Sequence, residues 1–266
     1  MSTLRGVYLA QLRISLAEQF QYRGAILIWL LGLVIQPVIY LTIWSTVAES
    51  SGDNVDGYTA RSFAAYFIVA MLVNHATHTS IMWEFESRVR HGALSALLLR
   101  PIHPIHRDIA TGLAFKGLTM LVALPIAGLL ALAFHPVVTT PSWAVLVFVP
   151  ALLLAMALRF TVEWTLAMAA FWTTSVTAIN RLYFVVFIFS GYIAPIDLLP
   201  EPAKTIAEVL PFRWMLAFPV ELAIGRVSAT EALIGITAQA AWLAAAVIAL
   251  RAVWSRGIQR YSAVGA

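Results

Sequence analysis

The chain has 266 residues, 61% of them hydrophobic and 11% charged, and its mean hydropathy is +0.85; a soluble domain of this length cannot bury so much apolar surface, so lipid must be part of its solvent. It has no cysteine, which excludes a disulfide framework, thiolate metal sites and a cysteine nucleophile. The formal net charge of +4 is scattered along helix flanks rather than gathered on one face, which argues for membrane orientation and against nucleic acid as a partner.

In chain order, Leu9, Leu12, Leu16 and Phe20 recur at helical spacing with Arg5, Gln11, Arg13, Glu18 and Gln19 mostly on the other side. This predicts an amphipathic interfacial helix over 3–22. A first span is expected at about 25–46. Its apolar run is roughly twice the length of a signal-peptide core, and no small-residue cleavage site follows it, so it reads as retained. The acidic, turn-prone stretch 49–57 makes a short loop on the far side. A second span follows at 62–83, with aromatic residues at both ends.

Residues 84–107 form the longest polar interruption, carrying Arg88, Arg90, Arg100 and Arg107 with His91, His103 and His106. A third span is expected at 108–134, and a link holding Pro136 and Pro141 leads to a fourth at 143–172. A fifth is placed at 180–195, with a turn near 173–181, because the apolar run of about fifty residues is long enough for two crossings of ~20. Residues 196–226, broken by Pro200, Pro202, Pro211 and Pro219, predict short interfacial or re-entrant helices on the outward side. The last span is expected at 231–254. With the spans so placed, only Arg61, Lys204, Arg213 and Arg226 of the 17 basic residues fall outside, which puts both termini and the 84–107 loop in the cytoplasm. The fold class is all-α: one polytopic transmembrane domain over 1–266 with six transmembrane helices.

Few motifs carry chemistry. An ATP-hydrolysing loop needs a glycine-rich turn with a lysine at the phosphates, and the two lysines, Lys116 and Lys204, lie in no such loop. His75 and His78, at i, i+3 on the second span, have the spacing of metal ligands but no third ligand placed by sequence. Interhelical hydrogen bonding is the better reading. Arg159 and Glu163, at i, i+4 in the fourth span, read as an intramembrane ion pair, a structural brace ahead of a substrate or proton site because no second carboxylate suggests a relay. The ladders Ala123/Ala127/Ala131 and Ala241/Ala245/Ala249 permit close helix approach, and Pro37, Pro125 and Pro150 are candidate kinks. The 84–107 loop reads as a short amphipathic helix closed by prolines, either a surface helix or a docking helix.

At this point a likeness emerges. The stretch from Arg88 to Pro101, Arg-Val-Arg-His-Gly-Ala-Leu-Ser-Ala-Leu-Leu-Leu-Arg-Pro, resembles the cytoplasmic coupling segment of bacterial type-two ABC exporter permeases. Residues 189–200 (Phe-Ser-Gly-Tyr-Ile-Ala-Pro-Ile-Asp-Leu-Leu-Pro), 210–214 and 218–225 resemble that family's fifth span and outward re-entrant segment. The resemblance implies a half-transporter of the bacterial cytoplasmic membrane that exports its substrate. It pairs with a second permease, identical or homologous, and with two separate ATPase subunits that bind the ATP and Mg; the chain itself would hold no cofactor and no ATPase site. It implies Arg88, Arg90, His91, Gly92, Leu94, Leu97, Arg100 and Pro101 as the ATPase-coupling residues. A substrate path is implied along the second and fifth spans, which offer Asn74, His75, Thr77, His78, Phe184, Phe187 and Phe189 and suit an amphipathic or hydrophobic cargo. A membrane-embedded enzyme or a proton-coupled carrier is the alternative. The first lacks an aspartate beside His75 and His78, and the second is weakened by the pairing of Glu163 with Arg159.

Overall fold

A computed structural model describes residues 4–21, 23–173 and 175–261. Thr3 and Tyr22 at the ends of the expected N-terminal helix, and Thr174 in the expected turn, lie outside the described residues, as do the side chains of Phe20 and of residues 25–30. The helices in order are α1 (Leu4–Gln21), α2 (Arg23–Ser50), α3 (Ala60–Thr77), α4 (Ile81–Arg90), α5 (Ala93–Leu98), α6 (Pro104–Phe134), α7 (Ser142–Ala167), α8 (Thr177–Val186), α9 (Glu201–Val209), α10 (Pro211–Met215), α11 (Ala217–Ala223) and α12 (Ala229–Arg260). Single 3-10 turns extend α7 over Met168–Phe171 and α8 over Phe187–Ser190, and a third spans Ile196–Leu198. No strand occurs among the described residues.

Local chemistry accounts for the helix ends. Thr59 caps α3 by accepting from Ser62 N. Pro104 opens α6, where His103 Nδ1 accepts from Ile105 N. Ser228 and Glu231 form a reciprocal capping box on α12. Pro37, Pro125 and Pro150 all lie inside continuous helices, as membrane-embedded helices tolerate.

Among the described residues, three helical stretches are long and apolar enough to cross a membrane: Pro104–Phe134, Ser142–Phe171 and Ala229–Arg260. The 31 residues of α6 extend about 46 Å at the α-helical rise, well beyond a ~30 Å hydrocarbon core. Large apolar side chains on these helices face outward, Leu132 at 72% exposure and Leu146 at 78%, while Arg159, Glu163, Asp108 and Gln239 are buried. That is the reverse of a soluble protein's distribution and fits a lipid surround.

The central element is α3. Its Phe63, Tyr66, Phe67 and Met71 are all essentially inaccessible and pack with α2 and α11, with Phe63 stacked between Trp44 and Tyr58. α7 pairs with α12 along its length, tied by Gln239 Nε2, which donates to Ala151 O at 3.0 Å and Trp214 O at 2.9 Å. The small residues at this contact are Ala144, Ala151 and Ala155 of α7, all fully buried. Ala123 and Ala127 are also buried, but Ala241, Ala245 and Ala249 face outward, so the second alanine ladder is no packing seam within this chain. α1 lies along α6 through Tyr8, Gln11 and Ser15: Gln11 Nε2 and Ser15 Oγ each donate to Thr111 Oγ1 at 3.3 Å, and Tyr8 Oη sits 3.0 Å from His106 Nδ1. Leu9, Ile14 and Leu16 point away from the protein.

Two expected spans differ in shape. The helix expected over 62–83 stops at Thr77, breaks over His78–Ser80 and resumes as α4; the side chains of Asn74, Thr77, His78 and Thr79 around the break bond to Arg159 and Glu163 of α7. The stretch expected over 180–195 begins earlier, at Thr177, and ends at Ser190, because Gly191 adopts a positive φ and its carbonyl accepts from the Tyr66 hydroxyl at 2.7 Å.

Candidate functional site

The α3–α4 break is built around Arg159. On α7, Arg159 Nε donates to Glu163 Oε1 at 2.8 Å. One terminal nitrogen donates to Asn74 Oδ1 at 2.8 Å and Thr77 Oγ1 at 2.9 Å, and the other to His78 Nδ1 at 3.2 Å. The guanidinium also stacks 4.2 Å above the Phe187 ring. Glu163 Oε1 accepts a second bond, from the Tyr183 hydroxyl at 2.9 Å, and Oε2 accepts from Thr79. Four of the five guanidinium N–H groups and both carboxylate oxygens thus have partners inside the chain, the condition under which a buried ion pair is tolerated. The i, i+4 pair read from sequence is therefore the centre of a larger hub that clamps the broken helix to α7 and α8.

Of the expected path residues, Asn74, His78 and Phe187 converge on this hub, together with Thr77. Phe184 lines the same cavity but is 64% exposed. The cavity holds about 380 Å³ and is completed by Gln36, Tyr183 and Tyr192. His75 takes another direction, its Nε2 lying 2.9 Å from Thr119 Oγ1 on α6. The two histidines thus serve different helices. Tyr183 and Thr79 were not legible as partners, since neither stands at a helical spacing from Glu163.

Toward the other end, α4 runs from the break to a tight turn at His91–Gly92, where Gly92 has φ +71°, a conformation that favours glycine. Along α4, Glu86 Oε2 accepts from Val176 N at the start of α8. Arg88 bridges Glu84 at 3.0 Å and Asp108 of α6 at 2.7 Å, and Asp108 also accepts from Trp164 Nε1 of α7. Phe85 packs on Trp164 and Phe171, and Trp254 of α12 completes this aromatic cluster with His103. Burial and neighbouring His106 push the His103 pKa below its usual value.

The expected coupling residues accordingly divide. Arg88, with its side chain 14% exposed, points inward, whereas Arg90 is 59% exposed. Leu94 and Leu97 are buried beneath α5, while His91, Arg100 and Pro101 stand at the surface. Leu99, not singled out from sequence, is 89% exposed at the apex. Ser95 Oγ and the Tyr261 hydroxyl, 2.9 Å apart, tie α5 to the end of α12.

A helical bundle with outward apolar spans, a buried polar hub and an exposed basic turn has the form of a polytopic membrane protein. The family profile described as ABC-2 family transporter protein matches residues 26–265, and the chain belongs to that family. It is a multi-pass permease subunit of an ABC transporter and works with ATPase subunits. A search among curated proteins found no match.

Proposed function

We propose that this permease crosses the bacterial cytoplasmic membrane six times, with both termini inside, and exports an amphipathic or hydrophobic substrate. In this reading α2, the α3–α4 pair, α6, α7, α8 with its 3-10 turn, and α12 are the spans, and α9 to α11 form the outward re-entrant segment. Two ATPase subunits bind ATP and Mg and seat on the α4–α5 turn, and a second permease, identical or homologous, completes the cargo path. The cavity beside Arg159 is that path's wall within one permease. Its mixed lining of aromatic rings and amides suits a cargo with apolar bulk and a few polar groups. The outward-facing Leu31, Ile35, Ile39 and Ile43 of α2 and Leu182 and Val185 of α8 offer the apolar face for the second copy.

The observation that carries the proposal is the division of the 88–101 segment into a buried inner side and an exposed apex of Arg90, His91, Leu99, Arg100 and Pro101. A leucine 89% exposed among cations has the form of a knob for a groove in a partner. The Leu99→Asp and Arg90→Glu variants are expected to lose co-purification of the ATPase, while the permease still runs as a monodisperse species on size exclusion. Undiminished ATPase retention and undiminished coupled hydrolysis in both would overturn the proposal.

A further inference from the structure

A second, larger cavity of about 1020 Å³ opens between the end of α1, the α3–α4 break, α6 and α7. Leu113, Leu153, Met156 and Phe160 make much of its wall apolar. Lys116 of α6 stands in it half-buried, and among the described residues its ammonium has neither an ion-pair nor a hydrogen-bond partner. A lone cation at membrane depth is costly and marks a site for a charge-bearing ligand.

The same cavity also holds Glu18, Glu84 and Asp108. Glu84 and Asp108 share the single guanidinium of Arg88, which leaves one negative charge in surplus, and Glu18 is exposed without an ion pair among the described residues. Asp108 and Lys116 lie eight residues apart on α6, about 12 Å at the α-helical rise. The cavity thus presents one cation and surplus negative charge at separate points of a partly apolar wall.

The geometry points to a seat for one aminophospholipid of the bilayer. Its phosphate lies on Lys116, its primary ammonium on Glu18 and the Glu84–Arg88–Asp108 group, and an acyl chain follows Leu113, Leu153, Met156 and Phe160. A purely anionic headgroup leaves the carboxylates without a counter-charge. A quaternary ammonium offers them no hydrogen-bond donor.

The test is native mass spectrometry of the delipidated permease–ATPase complex, offered phosphatidylethanolamine, phosphatidylcholine and phosphatidylglycerol in equal amounts. One phosphatidylethanolamine per permease is expected to be retained in preference to the other two by roughly tenfold, the factor carried by one charge-assisted hydrogen bond. Lys116→Met should abolish the preference, and Lys116→Arg, which keeps the charge, should preserve it. Glu18→Gln should bring phosphatidylethanolamine down toward the phosphatidylcholine level. Equal retention of the three lipids would show annular lipid only and overturn the proposal, as would a preference for phosphatidylglycerol or one that Lys116→Met leaves intact.

Discussion

Arg159 shows how one residue decides the character of a region. Its charge is set among Glu163, Asn74, Thr77, His78 and Phe187, and removing it strands a buried carboxylate, a change that costs about 3–5 kcal/mol. Arg159→Leu is therefore expected to lower the melting temperature of the detergent-solubilised complex steeply. The double variant Arg159→Leu/Glu163→Leu should melt higher than Arg159→Leu alone, because it strands no charge. Arg159→Lys should rescue little, since a single ammonium cannot reproduce the guanidinium fork. If Arg159→Leu and Glu163→Gln melt like the parent yet transport stops, the pair acts on cargo and is no brace. The pairing itself was readable from the i, i+4 spacing. Its partners on α3 and α8 were not, because no sequence interval encodes where two distant spans meet.

At the scale of elements, the end of α12 is locked to the 3-10 turn after α7 and, through it, to α4 by close approach. Gly257 faces Phe171 so tightly that a Cβ there would overlap the ring, and Phe171 in turn contacts Phe85, Trp254 and Tyr261. Gly257→Ala should destabilise the complex by about 1–3 kcal/mol through overpacking. It should also weaken coupled ATP hydrolysis, because the ring it displaces supports α4. Gly128 on α6 has open space around its Cα, so Gly128→Ala should be neutral or stabilise by up to ~1 kcal/mol through helix propensity. Thermal melting of both variants checks the contrast; equal destabilisation would show that α12 is not packed in this way. Helix existence followed the apolar runs well, α6 and α12 most plainly. The break at His78–Ser80 did not: the polar stretch Asn74–Ser80 interrupts the apolar run, but only the meeting with Arg159 and Glu163 of α7 fixes where the helix opens.

For the whole molecule, the distribution of basic residues predicts topology, and the absence of cysteine makes that prediction clean to read. Single cysteines at Ser51 and Glu201, both exposed, should react with a membrane-impermeant maleimide in intact cells. Cysteines at Ala96 and Ser255, also exposed, should react only after permeabilisation. Labelling of Ala96→Cys in intact cells would reverse the orientation, and accessibility of Glu201→Cys only after permeabilisation would remove the fifth crossing.

What the sequence determined by itself was solvent and class: an apolar chain with few charges belongs in lipid as helices, and the bias of its arginines predicts which ends face inward. The likeness of residues 88–101 to a coupling segment was also legible there, because that segment is local and its helix, turn and helix follow one another in the chain. Tertiary structure alone decided that Arg88 turns inward to Asp108 while Leu99 stands free, that Tyr8, Gln11 and Ser15 of α1 meet α6 while Arg5, Arg13 and Glu18 stay exposed, and that Arg159 gathers side chains from three helices. Each of these depends on which face of a helix meets another. In lipid, hydrophobicity no longer distinguishes buried from exposed faces, so the pattern that reveals a soluble core is silent, and only buried polar contacts between spans reveal the packing.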